Sequence, residues 1–145
     1  MEHDLYQTLP LVALAGFVAT GLFIAVRPSA TKAKGLWLVP AALASLFLAW
    51  SLYVVSKEGL LAFWPEHTRN AWGNQIWFDL LLSAGSAFSL LAPRARAAGM
   101  RPVPWFIFIV CTGSIGLLAM LARYMFVAER EEGSAPAPLS RGVQG

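Results

Sequence analysis

Apolar residues run almost unbroken over residues 9–26, 36–55, 75–92 and 103–127, and the polar residues collect between these stretches. A helix rises 1.5 Å per residue, so each stretch predicts an element able to cross a hydrocarbon core about 30 Å thick. The pattern predicts an all-α integral membrane protein: a four-transmembrane-helix bundle with short loops over residues 1–128. Residues 129–145 turn polar and contain Gly133, Ser134, Pro136 and Pro138. That composition buries too little apolar surface to order itself, so a disordered tail is expected. Breaker residues suit these boundaries. Pro10, Pro40 and Pro104 are expected in first helical turns, Arg27-Pro28 and Pro93 at the ends of the first and third spans, and Gly73 just ahead of the third.

The loops set an orientation. Arg27, Lys32 and Lys34 lie between the first two stretches and Arg94, Arg96 and Arg101 between the last two, with no acidic residue among them. The other side receives Glu2, Asp4, Glu58, Glu66, Glu129, Glu131 and Glu132 against Lys57, Arg69, Arg130 and Arg141. Basic loops stay in the cytoplasm, so four crossings predict both termini on the non-cytoplasmic side. Trp37 and Trp105 then anchor the cytoplasmic boundary, and Tyr6, Tyr53, Trp72, Trp77 and Tyr124 the outer one. The connection 57–72, with Leu60, Leu61, Phe63 and Trp64 ahead of a polar run, is expected to lie along the outer interface.

Composition agrees with a membrane protein: 57% of the 145 residues are hydrophobic and 13% charged, where soluble domains carry about a quarter charged. The net charge of +3 resides in loops between spans, which points to lipid headgroups and away from nucleic acid. No Lys or Arg precedes Arg27, so the first span is read as retained and not as a cleaved signal peptide. Abundant Ala and Arg with few Lys suit a GC-rich bacterial genome, and a bacterial inner membrane is the default location. The single cysteine, Cys111, provides neither an intramolecular disulfide nor a CxxC pair.

Only Asp79 and Arg123 carry charge inside the four stretches. Charge in hydrocarbon is costly, so they form the candidate intramembrane polar pair, facing each other across the third and fourth spans in the outer leaflet. Two roles fit such a pair, a structural ion pair or a substrate- or proton-linked site, and Arg123 has the further option of snorkelling to headgroups. Glu66, His67, Arg69, Asn74 and Gln75 are candidate residues of an outer polar mouth above Asp79, or simply a solvated loop. Small residues recur at helical spacing in Ala41, Ser45 and Ala49, in Ser83 and Ala87, and in Thr112 and Gly116, where they predict close helix packing. His3 and His67 lie outside the spans, which disfavours a bis-histidine haem, and no metal-ligand cluster is visible. Glycine-rich phosphate loops, HExxH and GxSxG are also missing. A four-helix multidrug exporter would need an acidic residue in the first span, and there is none.

The segments from Trp77 to Ser83, from Arg94 to Arg101, and from Gly113 through Arg123 resemble an uncharacterised bacterial membrane family, a domain of unknown function, over about residues 73–132. The aspartate of the third span, with a Gly-containing fourth span ending in arginine, also resembles the membrane proteins implicated in neoxanthin synthesis. That second resemblance implies a carotenoid or other isoprenoid ligand; the residues themselves predict no cofactor. The leading expectation is a non-enzymatic accessory or assembly subunit whose faces meet lipids, another membrane protein or a second copy in a homo-oligomer. The alternatives are an isoprenoid- or lipid-processing protein using Asp79 and Arg123 with Glu66 or His67, and a small transporter gated near that pair.

Overall fold

The computed structural model describes residues 2–26 and 34–134. These form α1 (Glu2–Val26), α2 (Leu38–Glu58), α3 (Phe63–Thr68), α4 (Ala71–Ala97), α5 (Pro102–Thr112) and α6 (Ser114–Ser134), with no strand among the described residues. Three helices are long and apolar enough to cross a membrane: α1 from Tyr6, α2 and α4. The expected fourth span is therefore corrected, because 103–127 is divided between α5 and α6. Arg27 and Lys32 of the first basic loop, and residues 135–145 of the expected tail, lie outside the described residues.

Residues 1–33 and 34–145 form two separate units. In the first, α1 begins well before the expected position and carries Pro10 in its interior. Proline removes one helical hydrogen bond there, a loss that membrane-spanning helices commonly accommodate. Leu11, Val12, Phe17, Leu22, Ile24 and Val26 are all exposed around the helix, as suits an element whose solvent is hydrocarbon.

In the second unit α6 touches α2, α4 and α5. The buried cluster joins Leu91 and Ala95 of α4 to Ile109 of α5 and Met120 of α6, with Phe88, Met100, Trp105, Leu117, Leu121 and Tyr124 packed against it. Local chemistry fixes the connections. Asn70 caps α4 by accepting the Gly73 N–H at 2.8 Å. Pro93, expected as a stop, is instead inside α4, which continues to Ala97. The helix ends on Gly99 at φ 70°, where Gly99 N–H donates to the Arg96 carbonyl and Met100 N–H to that of Ala95. This is the left-handed glycine cap that closes many helices. Pro102 then opens α5 at a position where no N–H is required.

The break between α5 and α6 is sharp. Gly113 takes φ 60° and ψ −126°, a backbone conformation that strains any residue with a Cβ. The chain then folds back: a Cβ built on Gly116 would lie 2.9 Å from both Cα and N of Ile109. In one straight helix residues seven apart are separated by about 10 Å along the axis, so α5 and α6 form a hairpin. The far end of α6 consequently meets the beginning of α2. Gly35 N–H donates to both carboxylate oxygens of Glu129, at 3.1 and 3.0 Å, and Trp37 packs edge-on to Phe126 at 5.1 Å. Four straight spans would have put those two ends on opposite sides.

Candidate functional site

The inward face of α4 is a clean helical series. Gly73, Leu91, Ala92 and Ala95 are buried, and Trp77, Ala84, Ala87 and Phe88 are half-buried. Asp79 lies on the opposite face and is exposed, as are Trp72, Ile76, Ser83, Ser86 and Leu90. These six residues follow one another in alternating steps of four and three, the spacing that keeps a stripe on one side of a helix where a second helix can lie along it. Gln75, one turn before Asp79, is exposed beside the stripe. Residue pattern alone directs Asp79 into the bundle; in the structure it is exposed, as is every residue from Phe78 to Ser83.

Arg123 stays far from Asp79. Met120 belongs to the cluster with Leu91 and Ala95, which places Arg123, nearly a turn further along α6, toward the Ala97 end of α4. Asp79 and Ala95 are separated along α4 by about 24 Å at 1.5 Å per residue. No ion pair links the two charges among the described residues. The Arg123 guanidinium lies instead 5.9 Å from the Phe126 ring centroid, and that of Arg130 lies 4.3 Å from the same centroid. With Trp37 against its edge, Phe126 is the centre of an aromatic and basic cluster beside the Gly35–Glu129 hydrogen bonds. Sequence reading missed this cluster, since Trp37 and Gly35 come from a segment distant from Arg123, Phe126, Glu129 and Arg130 of α6, and only the α5–α6 hairpin brings the two together.

At the other end of α4, α3 builds the mouth. Gly73 packs so tightly on α3 that an added Cβ would collide with the Glu66 carbonyl oxygen. Asn74 Nδ2 donates to the His67 carbonyl at 3.1 Å, and Phe63 and His67 pack on Trp77 with centroids 6.0 and 5.0 Å away. His67 Nδ1 must carry the proton of its 2.6 Å contact with the Phe63 carbonyl, because a carbonyl only accepts. Arg69 and Glu66 pair at 3.1 Å on the exposed surface. Glu66, His67 and Arg69 line an open hollow of about 260 Å³ with Asn70, Trp72, Gly73 and Ile76. Three of the five expected mouth residues thus share one depression; Asn74 serves the α3–α4 joint, and Gln75 borders a second hollow with Ala71 and Trp72. Among the described residues no group of three or more His, Cys, Asp and Glu could hold a metal ion.

The expected packing residues divide. Gly116 is buried, and Ala41, Ala87 and Thr112 are half-buried. Ser45, Ala49 and Ser83 are exposed, and on α2 the buried positions are Pro40 and Ala44. Ser45 and Thr112 return their hydroxyls to the carbonyls of Ala41 and Phe108. Comparison with protein-family models, curated proteins and solved structures finds no match.

Proposed function

We propose that this chain is a non-enzymatic accessory or assembly subunit of a bacterial inner membrane, holding its outward helix faces against another membrane protein. The observation that carries this reading is Asp79, an exposed carboxylate within the apolar α4 that no described residue of its own unit engages. Translocon-based scales charge about 2.5–3.5 kcal/mol for an aspartate at the centre of a spanning helix, and such residues face a partner or water when they persist. Three crossings, in place of four, put the termini on opposite sides. Lys34, Arg94, Arg96 and Arg101 mark the cytoplasmic end, and the folded-back α6 adds Arg123 and Arg130 to it. The orientation proposed is an N-terminus outside and the end of α6 inside, which revises the expectation of two external termini.

A second reading rests on the hollow at the α3–α4 joint, where His67, the Glu66–Arg69 pair and the Trp72 ring lie together. A carotenoid or other isoprenoid headgroup would suit that combination. Purification from native membranes in mild detergent, followed by protein and lipid analysis, separates the two. A stoichiometric second protein is the expected outcome. A chain isolated alone with a retained isoprenoid would overturn the subunit reading in favour of the hollow.

A further inference from the structure

The outward face of α4 carries one polar group that lipid does not serve. Asp79 is about 12 Å along the helix from Ala71, and no described residue engages its carboxylate. Above it on the same stripe are Trp72 and Ile76; below it Ser83 and Ser86 leave the backbone open to close approach before Leu90 closes the stripe. Small residues flanking a polar group are what a helix–helix contact in a membrane is made from.

We propose that this face, Trp72–Ile76–Asp79–Ser83–Ser86–Leu90, is the docking site for a transmembrane helix of a different protein that presents an arginine or lysine at the depth of Asp79. The proposal rests on the subunit reading and specifies its contact. Charge complementarity chooses the occupant. Among the described residues of the second unit, a copy in the same orientation offers another Asp79 at that depth, since its Arg123 lies toward the opposite end of α4, its Lys57 sits at the end of α2 over its own Tyr53, and its Arg69 precedes α4 and pairs with Glu66. Two carboxylates brought together repel, whereas a guanidinium or ammonium both neutralises Asp79 and donates to it.

The test uses the full chain, fluorescently labelled, in phosphatidylcholine vesicles. The probe is an Ala/Leu transmembrane peptide of about 21 residues with one Arg about 12 Å from its outer end. Control peptides carry Gln at that position, or Arg moved toward the other end. Energy transfer should report association about tenfold tighter for the matched Arg peptide than for the Gln peptide. The Asp79→Asn variant should lose that difference, and Ser83→Leu should weaken binding by filling the open face. Equal binding of all peptides, or an Arg preference that survives Asp79→Asn, would overturn the proposal. So would transfer between two copies of the chain that Asp79→Asn abolishes, which would make the occupant a second copy. In native membranes a photo-crosslinking residue at position 83 should capture a protein whose span carries a basic residue, and replacing that basic residue should end the capture. Capture from position 46 on α2 alone would overturn the α4 face while leaving the subunit reading intact. Arg-selective peptide binding in a chain that purifies without partners would retain the face chemistry and overturn the subunit reading.

Discussion

Gly116 and Gly85 respond in opposite ways to the same added methyl group. At Gly116 a Cβ would lie 2.8 Å from Thr112 Oγ1 and 2.9 Å from backbone atoms of Ile109, and backbone cannot rotate aside. Gly116→Ala should therefore part α5 from α6 and destabilise the fold by roughly 1–3 kcal/mol. Gly85→Ala meets open space in mid-helix and should be neutral or stabilising by about 0.5–1 kcal/mol. Unfolding of the three proteins in mixed micelles checks the pair of outcomes; equal effects would contradict the close approach at Gly116. Asp79 and Arg123 give a second comparison, because groups this far apart without shared partners should be additive. The double-mutant cycle of Asp79→Asn and Arg123→Gln is expected to show coupling below about 0.5 kcal/mol. Asp79 itself was legible in the sequence, since one carboxylate in an apolar run is conspicuous. Its direction was not: Ser83 and Ala87 belong to one small-residue series, yet the structure exposes the first and half-buries the second.

Helices α2 and α4 followed from their apolar runs, and α1 from its own run with an earlier start. The division of the last run was hidden, because hydropathy stays high on both sides of Gly113 and a glycine in a membrane helix reads equally well as a packing residue. Only the positive φ at Gly113 and the contact of Gly116 with Ile109 reveal the turn. Its consequence is the union of α2 with α6, where the Glu129 carboxylate accepts the Gly35 N–H at the start of α2. That position also favours negative charge through the helix dipole. Glu129→Ala should cost roughly 1.5 kcal/mol, and Glu129→Gln less, because an amide oxygen still accepts. Chemical unfolding of the purified variants checks the order; an alanine variant as stable as the parent would contradict the tie.

For the molecule, the proposed topology of three crossings by α1, α2 and α4 follows from the fold-back at Gly113, which divides the fourth apolar run. Basic loops were visible in the sequence and set the proposed cytoplasmic side, and in that proposal the number of spans decides which terminus joins them. Reporters placed at position 97 and at position 131 should then label from the same side of the membrane, with position 3 on the other. The fold-back is most directly read as a distance in the purified full chain. Spin labels on Lys34→Cys and Arg130→Cys, with Cys111→Ser, flank the Gly35–Glu129 hydrogen bonds. A separation within about 20 Å is expected, label linkers included, if α6 returns to the start of α2. A separation of about 30 Å or more, the thickness of a hydrocarbon core, would contradict the hairpin and restore a fourth straight span.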